Sequence, residues 1–106
     1  MNKKAKVEQI KIDGTIYIPL ESPWEINKNY LIRTVTMYQL GKLINVTEQE
    51  LLLSDACWVA DTGRFSVALE TGELQEIEMF KNNVIINRSS IIDATEWLHD
   101  LPKISK

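Results

Sequence analysis

Residues 7–20 alternate apolar and polar positions, with Ile10 and Ile12 before Asp13-Gly14 and Ile16 and Ile18 after it. That pattern predicts a half-buried hairpin closed by a two-residue turn. Pro19 and Glu21-Ser22-Pro23 end it, and Trp24 and Ile26 lead through Asn27-Lys28-Asn29 into the next strand. Residues 30–38, Tyr-Leu-Ile-Arg-Thr-Val-Thr-Met-Tyr, are β-branched and aromatic with period-two character. Gly41 then predicts a turn or bend before Lys42-Leu43-Ile44-Asn45-Val46, which makes the two segments adjacent antiparallel strands. After Thr47-Glu48-Gln49-Glu50, residues 51–60 read as one long, largely buried strand. Leu51-Leu52-Leu53 alone would equally suit the start of a helix; the length of the apolar segment and its Val and Trp content decide for strand.

Asp61-Thr62-Gly63 offers side-chain oxygens to cap a short helix over residues 64–70, and Gly72 sits where a left-handed stop would fall. Residues 74–80 and 84–87 predict another hairpin joined by Lys81-Asn82-Asn83, with a short strand around Ile91-Ile92. The expected fold is therefore mainly β with one short helix, either a small antiparallel sheet or a partly open barrel of the Sm-like and SH3-like kind. Gly41 to Val46, the turn, then Leu51 to Asp55-Ala56 matches the second and third strands of an Sm-like barrel in pattern. At 106 residues and 44% hydrophobic content the chain has enough apolar side chains for one core. One domain is expected, with the hairpin of residues 7–20 appended, a core over 30–98 and a polar tail over 99–106. A core this small gains from self-association through an open strand edge, so a homo-oligomer is expected.

Composition removes several functions. No apolar run approaches the ~20 residues that cross a bilayer, and Met1-Asn2-Lys3-Lys4-Ala5-Lys6-Val7 lacks the apolar stretch of a signal peptide. The expectation is a cytoplasmic protein without membrane partners. The net charge of −3 argues against a general grip on DNA or other duplex phosphates. A single cysteine, Cys57, flanked by Ala56 and Trp58, reads as a small buried hydrophobe and permits no disulfide framework or cysteine-rich metal site within one chain. The one histidine, His99, stands beside Asp100 in the expected tail and makes neither a Cys-His pair nor a metal site convincing. Glu73, Glu76 and Glu78 crowd one strand but have no nucleophile or cation at a defined spacing, and the four glycines are too scattered for a phosphate loop. The chain is expected to bind rather than to catalyse, with no cofactor and no metal.

Trp58-Val59-Ala60-Asp61-Thr62-Gly63-Arg64-Phe65-Ser66 is the best candidate site. A strand leaving the core, a turn and a helix start would bring together Asp61, Thr62, a guanidinium at Arg64 and an aromatic plane at Phe65, which suit a nucleotide-like ligand. The competing reading has Asp61 or Thr62 merely capping the helix and Phe65 and Trp58 packed in the core. Arg33 and Arg88 lie in strand patterns, where a charge points outward or meets an acid. Arg33 could pair with Glu25 or Asp55, and Arg88 with Asp93 or Glu96; otherwise they would help hold a multiply charged anion.

Four motifs, Ile32-Arg33-Thr34-Val35-Thr36, Trp58 to Phe65, Val84-Ile85-Ile86-Asn87-Arg88 and Ile92-Asp93-Ala94-Thr95-Glu96-Trp97, resemble a group of small phage and prophage proteins over residues 30–103. The group is similar to the phage Thoeris anti-defence sponges, which sequester cyclic ADP-ribose immune signals, some also cyclic oligonucleotides, and assemble into hexamers. The resemblance implies a homo-oligomeric, non-cleaving nucleotide sponge in the host cytoplasm. It also implies ligand contact by a phenylalanine and by an asparagine ten residues on. Phe65 matches the first, and Gln75 replaces the second, keeping an amide donor and acceptor on a longer side chain. The alternative is a phage protein-interaction or assembly module with an Sm-like barrel and no small ligand.

Overall fold

The computed structural model describes residues 10–17 and 22–106. Strands β1 (Ile10–Ile12) and β2 (Thr15–Tyr17) pair antiparallel with Ile12 opposite Thr15. Asp13 and Gly14 both take positive φ, 48° and 80°, the left-handed pair that a two-residue hairpin turn requires and that Asp-Gly tolerates. The rest of the expected hairpin, residues 7–9 and 18–20, lies outside the described residues.

The main body is a six-stranded antiparallel sheet with one short α-helix, so the fold is mainly β as expected. Strands β3 (Asn29–Thr34), β4 (Tyr38–Val46) and β5 (Glu50–Asp61) run as a meander, followed by α1 (Phe65–Thr71) and β6 (Glu76–Met79). Then come β7 (Val84–Asn87), a 3-10 turn (Arg88–Ser90) and β8 (Ile91–Glu96). The strand order is β6-β5-β4-β3-β8, with β7 also on β5. The sheet is not closed into a barrel: β8 pairs with β3, and β6 and β7 with β5, but the two ends do not pair with each other.

Two local expectations are corrected. Residues 74–80 and 84–87 form no hairpin; β6 and β7 lie end to end on one edge of β5, Met79 opposite Cys57 and Val84 opposite Leu53. The twelve-residue β5 is long enough to take both. Gly41 is no turn either. It sits inside β4, and the chain reverses at residues 35–37, where the Thr34 N–H donates to the Met37 carbonyl at 2.8 Å.

The sheet is buried on both faces. Leu31, Leu40, Cys57, Val59, Ala68, Leu74, Ile77 and Trp97 form one core; Tyr30, Ile32, Leu43, Leu51, Leu53, Ala56 and Ile86 form the other. Consecutive Tyr30, Leu31 and Ile32 are all buried, because side chains alternate across a strand and β3 is covered on both sides. Alternation along β5 breaks at Asp55, whose φ is +51°. Two residues of β5, Asp55 and Ala56, stand against Gly41 of β4, since Leu40 is opposite Cys57 and Lys42 opposite Ser54. This bulge puts Leu53 and Ala56 on one face and Cys57 and Val59 on the other.

The segment after β8 is not a polar tail. Trp97 is buried, its N–H donating to the Asn29 carbonyl at 2.8 Å, and Leu101 packs against the first core. His99 Nε2–H donates to the Leu69 carbonyl at 2.8 Å, and its ring meets Trp97 edge-on. Lys106 exchanges both backbone hydrogen bonds with Ile77, at 2.9 and 3.1 Å, so residues 104–106 cover the outer edge of β6.

Candidate functional site

The loop between β5 and α1 orders itself through its own backbone. Asp61 Oδ1 accepts the Gly63 N–H at 2.8 Å, Thr62 Oγ1 donates to the Gly63 carbonyl at 2.7 Å, and the Gln75 N–H donates to the Asp61 carbonyl at 3.0 Å. Gly63 takes φ +68°. Neither Asp61 nor Thr62 caps α1: the cap residue is Arg64, with no side-chain hydrogen bond, because the Asp61 oxygen is engaged within the loop. Gly72 does stop the helix, at φ +81°, with its N–H on the Ala68 carbonyl. A Cβ there would lie 2.7 Å from His99 Cγ, so this glycine is required by the ring packed against it as well as by its φ.

Phe65 opens α1 and is not core: it is 44% exposed. Its ring lies 6.0 Å from that of Tyr38 at an angle of 32°, within the range of offset aromatic pairs. The two rings, with Leu31, Leu69, Asp93, Ala94 and Thr95, line a groove of about 220 Å³ between α1 and β8. A hollow of about 400 Å³, lined among others by Arg33, Thr34, Thr36 and Trp58, meets it at Tyr38. Trp58 is 39% exposed and belongs to this hollow rather than to either core.

The three arginines part company. Arg33 pairs with Asp93, opposite it on β8, rather than with Glu25 or Asp55: Nε lies 3.1 Å from Oδ1 and Nη2 meets Oδ2. The carboxylate's hydrogen bond and charge hold the guanidinium pKa above its ordinary value. Arg88 meets neither Asp93 nor Glu96; its Nη1 donates to the Thr47 carbonyl at 2.5 Å, and it walls neither the groove nor the hollow. Arg64 is exposed beside Phe65 and has no ion-pair partner among the described residues. Gln75 packs by Gly63 on the other side of the loop and does not line the groove. The structure thus places Phe65 in the groove and Arg33 in the adjoining hollow; Arg64 neighbours Phe65 in the chain but lines neither, and Arg88 and Gln75 are left out. Tyr38, Leu69, Asp93 and Thr95 join the site without having been expected.

A wider concavity, about 500 Å³, is elsewhere, between Asn29 and Lys42 on the sheet and residues 100–103. Asn29 Oδ1 there is buried without a hydrogen-bond partner. Cys57 is buried away from both sites, and burial pushes its thiol pKa up to about 11. Among the described residues no helix is long and apolar enough to cross a membrane, and no group of three His, Cys, Asp or Glu side chains is placed to hold a metal. No known protein family, no curated protein and no solved structure matches this chain.

Proposed function

We propose that the protein binds a nucleotide signal of the cyclic ADP-ribose class and holds it without cleaving it, acting as an anti-defence sponge of the kind its motifs resemble. One observation carries this reading: an exposed phenylalanine tilted against a tyrosine at the mouth of a groove, next in the chain to an arginine with no ion-pair partner among the described residues. A base stacks between Phe65, Leu69 and Tyr38 while Arg64 meets a phosphate. The remainder of the ligand lies across the hollow toward Arg33. Groove and hollow together fall within the ~300–1,000 Å³ of small-molecule sites. Retention rather than turnover fits the two residues best suited to proton or acyl chemistry. The Cys57 thiol is buried, and the His99 imidazole is tied to the Leu69 carbonyl.

The test is calorimetry with cyclic ADP-ribose isomers, followed by recovery of the ligand from the heated complex. Intact ligand should be recovered at a fixed ratio to subunits. Phe65→Ala should weaken binding by about 5- to 150-fold, the equivalent of a ~1–3 kcal/mol stacking contact. A folded protein that binds neither these isomers nor cyclic oligonucleotides would sink the proposal.

A further inference from the structure

The two ends of the sheet are finished differently. Residues 104–106 cover the outer edge of β6, whereas the outer edge of β8 has no partner among the described residues. An uncovered edge is a row of unsatisfied donors and acceptors that templates another strand. Its register can be read from the ladder. The Trp97 N–H bonds to Asn29, and hydrogen-bonded pairs alternate along an antiparallel ladder. Thr95 and Asp93 therefore also bond inward to β3, and the backbone groups of Ala94 and Glu96 point outward; the register shifts between Arg33 and Thr34, so the alternation ends at Asp93. The other short edge, on β7, offers less. The Arg88 N–H bonds to Gln49, so only Ile85 and Asn87 point outward there, and the Asn87 carbonyl already accepts from Ser90 Oγ at 2.7 Å.

We propose that β8 pairs antiparallel with β8 of a second copy of this chain, with Ala94 facing the partner's Ala94 on the two-fold axis. Even-numbered residues must face even-numbered ones for the outward groups to meet, which leaves few registers. Centring on Ala94 sets Ile92 against the partner's Glu96 and Asp93 against the partner's Thr95, with no like charges opposed. A shift that pairs Ile92 with the partner's Ala94 sets Asp93 against the partner's Asp93, which like-charge repulsion disfavours. The smallest side chain of β8 then sits on the two-fold axis. Exposed Ile92, at 56%, gains a neighbour.

An axis perpendicular to the sheet keeps both grooves on the same face. The two β8 strands become one floor, with Phe65 and Leu69 of each copy on either side, and Thr95 of each reaches the partner's Asp93. This consequence for the ligand rests on the groove reading above; the dimer does not.

Three variants of the full chain test it by mass in solution and by cross-linking. The wild-type assembly should contain an even number of subunits. Ala94→Pro removes an outward N–H that β3 does not use, a substitution that edge strands accept, and should halve the mass while circular dichroism is retained. Ala94→Cys should form a covalent dimer on mild oxidation, because a hydrogen-bonded antiparallel pair sets Cα atoms about 5.5 Å apart, within disulfide reach. Thr95→Cys, which faces Asp93 rather than itself, should not. A monomeric wild type, an Ala94→Pro mass equal to wild type, or a ring broken by Ala94→Pro in which Ala94→Cys fails to cross-link would each overturn the proposal. The last result would mean that β8 pairs with another element, such as β7. Loss of ligand binding with the dimer intact would count against the groove alone.

Discussion

Gly41→Ala isolates the tightest point of the sheet. A Cβ on residue 41 would lie 2.9 Å from Ala56 Cβ and 3.2 Å from both Ala56 Cα and Leu53 Cβ. Carbon atoms pack at about 3.5–4.0 Å, so a gap of roughly 0.5–1 Å must open, and Ala56 Cα is backbone that cannot swing aside. Strands β4 and β5 would have to part at the bulge on which both cores lean. Overpacking of this kind costs about 1–3 kcal/mol. Gly41 does not have a positive φ, so replacing it also removes unfolded-state freedom, which offsets about 0.4–1 kcal/mol. The expected net loss is about 1–2 kcal/mol. Thermal melting at fixed protein concentration should read this as a fall of about 4–8 °C per kcal/mol. The double variant Gly41→Ala/Ala56→Gly removes the 2.9 Å contact but keeps the one to Cα, and should recover part of the loss beyond the cost of Ala56→Gly alone. A neutral or stabilising Gly41→Ala, or a cycle with no coupling, would refute the account of the bulge.

Trp97→Ala empties a buried indole site beneath His99 and should cost about 3–5 kcal/mol in denaturant unfolding; a loss below 1 kcal/mol would mean that the segment after β8 is not integral. Cys57 in the folded protein should react about 100-fold more slowly with a thiol reagent near pH 8 than in the unfolded chain, since its pKa rises from 9.0 to about 11. The sign follows for stability. Below pH 9 the neutral thiol favours the folded state fully, and between pH 9 and 11 the unfolded chain ionises first, so Cys57→Ala should flatten a decline in stability over that window. Asp93→Asn frees Arg33 from its exposed ion pair and should leave the melting temperature within a few degrees while tightening an anionic ligand and steepening its salt dependence; weaker binding would instead make Asp93 a ligand contact.

Local chemistry was legible where the deciding residues are neighbours in the chain. Asp13-Gly14 named its own turn, Gly72 its own helix stop, and the apolar length of residues 51–60 the strand that runs over Glu50–Asp61. What depended on distant residues was not. Gly41 looked like a turn because nothing local reveals that Ala56 lies against it. The pair of β6 and β7 looked like a hairpin because each is short and a polar triplet separates them; the length of β5 puts them in line instead. Asp55 in a left-handed conformation reverses the parity of a strand whose residues give no warning of it. The segment 99–106 was read as a polar tail on its charges, although Trp97 and Leu101 carried an apolar signal at a spacing of four.

The site divides along the same line. Phe65, which lines the groove, could be singled out because it adjoins a turn that the sequence marks. Asp93 and Thr95 were not, because they reach the groove only through the pairing of β8 with β3, sixty positions away along the chain for Arg33 and Asp93. That pairing decides what Arg33 does. Arg88, in the 3-10 turn after β7, donates instead to the Thr47 carbonyl, away from the groove. Arg64, next to Phe65 in the chain, has no ion-pair partner among the described residues. On the sponge reading proposed above, a ligand with two phosphates would engage Arg64 and draw Arg33 away from Asp93, which would couple binding to the edge strand where two copies are proposed to meet.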